Sequence, residues 1–350
     1  MTWQLVAAQQ KFQDHAGHWD DLNRKLFDGH PLLDSLFVGP LVKYFASNGV
    51  LLAIRSDASG ATGMLLLAPA RPGIMMSFFP SQTPIGPVLL ASLDDTPSLF
   101  RALPRTIMAL DLYGQDPDYC AAAAKHGVLA TEDMHHALTL NIAMQGDFSS
   151  YWSARPRKLR QQVTGAINRV KRSGWSPRLD IVQDPLLIEQ AVARYADLES
   201  QGWKGAAGTA LGNGNVQGMF YKEMLNNFAK GGRAHVFELY FDSALVASQL
   251  TISNDVMLIT LKTTYDESFR DFSPGDLLDY SMLEGEFQSK RFRKIEFYTN
   301  AGPELLRWGT QSRYIQHRSI YRNRLMKVIA GTVRTLRRFS TSPTKANPST

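Results

Sequence analysis

Apolar residues along this chain recur with two different periods, and the switches between them divide it into elements. In the first part, 50–55 and 63–68 are short, β-rich runs joined by SDASGAT, whose Asp57 and Gly60 suit a turn, so they predict a hairpin. Residues 74–79 predict a further strand after the break at Arg71-Pro72-Gly73, and 83–87 predict a turn. Thr96-Pro97 opens a short helix over 98–103 that Pro104 stops, 106–110 reads as a strand, 121–127 as a helix end, and 137–142 as an alternating strand. Gly146 marks a junction. Beyond it, helical spacing predicts a basic helix over 148–173 and amphipathic helices over 186–201 and 219–229. Strands follow at 234–241 and 244–253, turning at Asp242-Ser243, and at 256–264. A helix then starts at Pro274, and 294–299 is a last strand. Strands and helices thus mix in both halves, an α/β (α+β) chain with a first domain over 1–146 and a second over 147–320.

Composition fits that picture and narrows it. A chain of 350 residues with 44% hydrophobic and 20% charged content can bury two ordinary cores. Cys120 is the single cysteine, so neither an intramolecular disulfide nor a cysteine-built metal site is expected, and no metal is assigned. The first residues lack the pattern of a secretory leader, and no apolar run reaches the roughly 20 residues that span a bilayer. A cytoplasmic location is therefore expected. Charge is unevenly placed: residues 1–150 carry 14 acidic against 9 basic side chains, whereas 321–350 carry seven basic and none acidic. Within 321–340, Leu325, Ile329, Val333 and Leu336 fall on one helical face among basic residues, which predicts a basic amphipathic helix. Such a helix could lie on an anionic membrane at the inner face or pack on the domain. Residues 341–350 are expected to be disordered.

Several residues could carry chemistry, and each has a plainer reading beside it. Ser273 is placed to cap the helix that Pro274 opens, and Gly275 leaves its first turn uncovered, a good seat for a phosphate. Equally, Ser273-x-x-Asp276 fits a capping box, in which Asp276 would claim the same amides. On the strand 294–299, Glu296 and Tyr298 share one face and Ile295 and Phe297 the other. Glu296 is the first candidate base, with a hydrogen-bonded strand-end role as its counterpart. Thr260, Lys262 and Thr264 are expected to project together, Lys262 touching a phosphate or carboxylate or simply snorkelling. Tyr265-Asp266 lies just beyond the strand end, making Asp266 a second candidate base or a turn residue. Trp203-Lys204 sits in a glycine-rich loop over 202–214, where it either meets a ligand or pins the loop. Arg307-Trp308-Gly309 reads as packing plus one useful guanidinium. The acid-free run Arg155, Arg157, Lys158, Arg160, Arg169, Lys171, Arg172, Arg178 is a solvated helix face or a surface for an anionic acceptor. His15, His18, His135 and His136 have no set of partners at metal spacing and read as surface histidines.

Together these segments carry a resemblance. Arg270-Asp271-Phe272-Ser273-Pro274-Gly275 is similar to the R/Q-x-x-G-x-G/A loop of GNAT acyltransferases, with Ser273 in place of the first glycine. ESQGWKGAAGTAL (199–211), KTTYDESFRDFSPGDLL (262–278), LLRWG (305–309) and, upstream, HPLLDSLFVGPLVKYF (30–45) resemble in order the FemAB/CelD-like branch of that superfamily, over most of 30–315. The chain departs from the branch at Leu305, where many relatives have lysine, and at Glu296, where aspartate is frequent.

The resemblance implies tandem GNAT-like domains, the first a degenerate copy, each with a mixed central sheet flanked by helices. It implies direct acyl transfer from acetyl-CoA or another acyl-CoA to an amine or hydroxyl of a small or glycan-linked acceptor, in exopolysaccharide or cellulose production. Arg270, Ser273, Pro274, Gly275 and Lys262 would then hold the donor. Glu296, Asp266 and Tyr298 would serve the chemistry, and Trp203, Lys204, Tyr265 and Arg307 the acceptor. Two rivals remain: a FemX-like transferase using aminoacyl-tRNA, which the acidic first domain argues against, and a non-catalytic adaptor. No DNA partner is expected.

Overall fold

The computed structural model describes residues 2–123, 130–201, 211–212, 214–329 and 332. In chain order the strands are β1 (Thr2–Ala7), β2 (Leu51–Asp57), β3 (Gly60–Arg71), β4 (Ile74–Ser77), β5 (Val88–Leu89), β6 (Ala109–Gln115), β7 (Ala130–Ala143), β8 (Pro177–Val182), β9 (Ala234–Phe241), β10 (Ala244–Ser253), β11 (Met257–Tyr265), β12 (Lys294–Phe297) and β13 (Gln311–Tyr321). The helices are α1 (Ala8–Lys11), α2 (Ala16–Phe27), α3 (Ser35–Phe45), α4 (Thr96–Ala102), α5 (Phe148–Ser153), α6 (Arg157–Arg172), α7 (Pro185–Gln201), α8 (Val216–Ala229), α9 (Pro274–Ser289) and α10 (Pro303–Leu306). None of the described helices is long and apolar enough to cross a membrane.

The chain forms two units that interleave along the sequence instead of meeting at Gly146. Unit 1 takes Met1–His18, Ala46–His136 and Gln316–Thr350, and unit 2 takes Trp19–Phe45 and Ala137–Ile315. The early helices belong to unit 2 because their apolar faces are buried there. Phe37 and Phe45 of α3 pack edge-on against Phe220 of α8, and Asp34 pairs with Arg233 at 2.8 Å.

Both units repeat one strand order. In unit 1, β1, β2, β3 and β4 are antiparallel neighbours, β4 pairs in parallel with β6, and β6 is antiparallel to the 316–321 part of β13. In unit 2, β8, β9, β10 and β11 are antiparallel neighbours, β11 pairs in parallel with β12, and β12 is antiparallel to the 140–143 part of β7. Six strands with one parallel pair in the same place make two copies of one mixed sheet.

In unit 2 the sheet face carrying Leu258, Ile295 and Phe297 is closed by α6 and α9 through Val163, Leu278, Met282 and Leu283. The opposite face receives α7 and α8. Each such buried aliphatic side chain contributes about 1.5–3 kcal/mol of transfer free energy, so this packing fixes the sheet.

Several expectations need correcting. The basic helix expected over 148–173 is two helices, α5 and α6, parted at Pro156, which has no N–H to continue the first. The strand expected at 106–110 lies later, at Ala109–Gln115, and β1, β8 and β13 were not anticipated. Of the tail helix expected over 321–340, residues 321–329 and 332 are described: Tyr321 ends a strand, 322–323 form a bend, and 324–329 and 332 are helical. Most of the helix end expected over 121–127 lies outside the described residues, as does 341–350.

Candidate active site

Strands β11 and β12 pair at only four positions, from Met257↔Lys294 to Thr260↔Phe297. β11 runs on to Tyr265 while β12 ends, so the two part and leave an unpaired strand edge. Right after the last pair, β11 is irregular: Leu250↔Lys262 is followed by Thr251↔Thr260, so Leu261 is an extra residue without a partner on β10. That bulge corrects one expectation. Leu250 and Thr251 point to opposite faces, so Lys262 and Thr260 do too, and only Lys262 and Thr264 share a side.

Beyond β11 the chain makes a short turn of helix over Glu267–Phe272 and enters α9 at Pro274. Ser273 is in the left-handed conformation, φ 51° and ψ 55°, and makes no side-chain cap. Its role as an N-cap is therefore corrected: an extended residue presents its hydroxyl to the helix amides, and a left-handed one does not. Its backbone instead adopts the shape that glycine provides most readily. The capping box is not formed either, because Asp276 Oδ2 accepts from Gln162 Nε2 at 2.6 Å. Pro274 has no N–H, and the Leu277 N–H is used by the Ser273 carbonyl at 3.1 Å. The Gly275 and Asp276 amides at this helix start thus have no capping side chain. A Cβ on Gly275 would meet nothing closer than Tyr265 Cδ1 at 3.9 Å, so internal packing does not require glycine here. Arg270 is exposed in the preceding turn, and Arg307 reaches the same region through Gln162 Oε1 at 3.3 Å while pairing with Glu304.

On the α7–α8 face, Glu296 and Tyr298 do fall together. His30 Nε2 and Tyr298 Oη are 2.8 Å apart, and Arg313 Nη2 lies 3.1 Å from both Tyr298 Oη and Glu296 Oε2. His30 Nδ1 accepts the Leu32 amide at 3.3 Å, so the ring proton is on Nε2 and points at the phenol oxygen. Asn23 clamps the His30 backbone with two 3.1 Å bonds, which fixes the ring before any ligand arrives. Glu296 is fully buried between Lys294, at 2.9 Å, and Arg313. A carboxylate held by two cations keeps its electron pairs for them, so the geometry makes Glu296 an anchor for Arg313.

The other expected residues fall in three groups. Lys262 Nζ lies 3.6 Å from the buried Glu199 and 5.6 Å over the Tyr221 ring. Glu199 also accepts from Tyr195 Oη and the Leu211 amide, so this cluster ties β11 to α7 and to Leu211. Asp266 Oδ1 accepts the Ser268 amide at 2.8 Å and starts the turn, its plainer reading. Tyr265 is exposed beside Gly275. Trp203 and Lys204 lie outside the described residues.

Two residues were missed. His30 was read only as part of a helix segment, and its neighbour Pro31 and the following helix were the sole local signal. Asp279 carries no reading in the sequence beyond its place in the helix that Pro274 opens. It faces the other side of the sheet, bonded to Gln249 Nε2 at 3.1 Å, and Gln249 also reaches Thr263 Oγ1 at 3.0 Å. Burial pushes the Asp279 carboxyl up to about 7. Among the described residues no cluster of metal-ligating side chains occurs.

In unit 1 the equivalent parting is filled by the chain. Ser77 Oγ bridges the Tyr113 amide and carbonyl at 2.8 and 3.3 Å, and the Gly86 N–H donates to the Gly114 carbonyl at 2.8 Å. A Cβ on Gly86 would fall 2.2 Å from the Tyr113 oxygen, so only glycine allows this closure.

Comparison with known proteins follows this geometry. The acetyltransferase (GNAT) domain family matches residues 157–304, which include β8 to β12 and α9. The chain carries a GNAT acetyltransferase domain and is an acyltransferase on that ground. No curated protein matches the sequence. The fold is similar to that of FemX, with a TM-score of 0.59 at 11% identity, covering 94% of this chain and 100% of that one. It is also similar to a conserved protein of unknown function from Bacteroides thetaiotaomicron VPI-5482, with a TM-score of 0.55 at 10% identity and coverage of 87% and 97%. A third likeness is to the C-terminal domain of a protein described as a lysylphosphatidylglycerol synthetase from Agrobacterium fabrum, with a TM-score of 0.52 at 12% identity and coverage of 93% and 96%. At these identities the likenesses speak for the fold alone.

Proposed function

We propose that unit 2 transfers an acyl group from acyl-CoA directly to an amine or hydroxyl acceptor, in the manner of the FemAB/CelD-like branch. The observation that carries this reading is the parting of β11 from β12 immediately before an uncapped, glycine-bearing helix start. An unpaired strand edge offers amides and carbonyls to the two amide groups of a pantetheine arm. The Gly275 and Asp276 amides, helped by the helix dipole and by Arg270, suit the pyrophosphate.

The acceptor nitrogen or oxygen attacks the thioester carbonyl; a C–N or C–O bond forms and the C–S bond breaks. The acceptor's proton leaves to solvent, the departing thiolate takes a proton from Tyr298, and the phenolate regains one from solvent. The His30 and Arg313 donors on the phenol oxygen stabilise the charge left there, a role worth about 10²–10⁴-fold for a placed proton donor. Lys262, Tyr265 and Arg307 would face the acceptor or the donor's phosphates, and Trp203 and Lys204 the acceptor. An exopolysaccharide precursor remains the acceptor class suggested by the resemblance.

Calorimetric titration of acetyl-CoA into wild type, Gly275→Ala and Gly275→Trp tests this. Saturable heat in wild type and Gly275→Ala, lost in Gly275→Trp, supports the reading. Absence of heat in all three folded proteins refutes acetyl-CoA as donor and moves the assignment to aminoacyl-tRNA.

A further inference from the structure

Unit 1 holds a cavity of about 500 Å³ bordered by β4, β6, β7, β13 and the 324–329 helix. Its volume is that of an ordinary small-molecule site. It is not a second donor cleft, because the parting of β4 from β6 is closed by Ser77, Gly86 and Tyr113 as described above. Its lining divides into two chemistries. Met108, Met134, Met326 and Ile329 make an apolar wall of flexible side chains that can mould to a chain. Asp111, Tyr113, His317 and Ser319 make a polar floor.

The floor has a definite polarity. Asp111 Oδ1 accepts from Ser319 Oγ at 2.6 Å, while among the described residues its Oδ2 accepts only a 3.5 Å contact from Tyr113 Oη. Glu132 adds a second carboxylate, held by Tyr321 Oη at 3.1 Å. His317 accepts the Gly114 amide on Nδ1 at 3.1 Å and stacks on His136 with ring centroids 4.0 Å apart. Burial and that neighbour push it down to about 4, so it is neutral at physiological pH and brings no positive charge. Among the described residues Arg71 is then the one cation lining the cavity, and it is exposed. Among the described lining residues there are thus two carboxylates and one guanidinium, which is exposed.

We infer that this cavity is a second ligand site of the chain, and that it takes an amine carried on an apolar chain. The ammonium group seats on Asp111 beside Ser319, and the chain lies along the methionine wall. This site stands independently of the donor cleft in unit 2.

Titration of n-octylamine, n-octanol and n-octanoate into the full-length protein labelled with [methyl-¹³C]methionine tests it. Octylamine should shift the Met108, Met134 and Met326 methyl resonances saturably, about tenfold more tightly than octanol, and octanoate should bind more weakly than either. Asp111→Asn should abolish the advantage of amine over alcohol. Met134→Ser, at a side chain 58% exposed and so without a folding burden, should weaken both ligands about equally. Both variants should bind acetyl-CoA as wild type does, which separates failure here from failure of the unit 2 reading. The inference is overturned if octanoate binds as tightly as octylamine. It is also overturned if Asp111→Asn leaves the amine preference intact, or if those three methyl signals do not move.

Discussion

His30 presents its Nε2 proton to the phenol oxygen of Tyr298 across 2.8 Å, although 268 positions separate the two residues. The contact joins the turn after α2 to the end of β12, where the parallel pair parts. Arg313 reaches the same oxygen at 3.1 Å, and the proposed function makes Tyr298 the proton donor to the departing thiolate. Tyr298→Phe should lower kcat by about 10²-fold while changing donor KM by less than about threefold, since the ring still packs under Arg313. His30 acts through Tyr298, so His30→Ala should lower kcat with KM unchanged, and His30→Gln should recover part of it. Equal loss in kcat and thermal stability would make the contact merely structural.

The buried Glu296 gives a contrasting expectation. Removing it strands Lys294 and Arg313 with charge inside the fold, and breaking a buried ion pair costs about 3–5 kcal/mol. Glu296→Gln should therefore lower the unfolding free energy by about 3 kcal/mol, read by urea denaturation. A fully stable Glu296→Gln protein without activity would favour Glu296 as the general base over its role as an anchor.

Ser273 holds a conformation that costs an L-residue about 1–2 kcal/mol, at the place where the related loop has glycine. Part of that is offset by the extra chain entropy glycine brings to the unfolded state. Ser273→Gly should accordingly raise stability by up to about 1 kcal/mol and leave acetyl-CoA affinity within about threefold. A large loss of affinity would mean that the Ser273 hydroxyl, not the backbone shape, meets the donor.

Local pattern carried much of this site, and pairing carried the rest. The period of two placed Glu296 with Tyr298 and opposite Ile295 and Phe297, which is how they fold. Strands β9 and β10 matched their apolar runs because a buried strand advertises itself in consecutive residues. The bulge at Leu261 was invisible, since an extra residue reveals itself only against a partner strand. For the same reason Lys262 was grouped with Thr260. Arg313 and His30 meet Tyr298 from β13 and from the turn after α2, and no short-range spacing encodes either approach. The sixth strand of each sheet likewise comes from a distant part of the chain, so the linear boundary at 146 could not follow the units.

Asp279 supplies a test that needs no substrate. Its carboxyl is pushed from an ordinary 3.8 up to about 7, first by burial and then by the neighbouring Asp276, against the favourable Gln249 bond. A folded-state value above the unfolded one means the folded protein binds the proton more tightly. Stability from this group is therefore fully present below about pH 4 and is lost as pH rises through 7. Between pH 6 and 8 the loss amounts to on the order of 1 kcal/mol, since one pKa unit corresponds to about 1.4 kcal/mol. Asp279→Asn keeps an oxygen for Gln249 and has no proton to lose, so its melting temperature should stay level from pH 6 to 8 while that of wild type falls. Parallel profiles for the two proteins would show that Asp279 is already ionised in the fold, with its charge met by solvent.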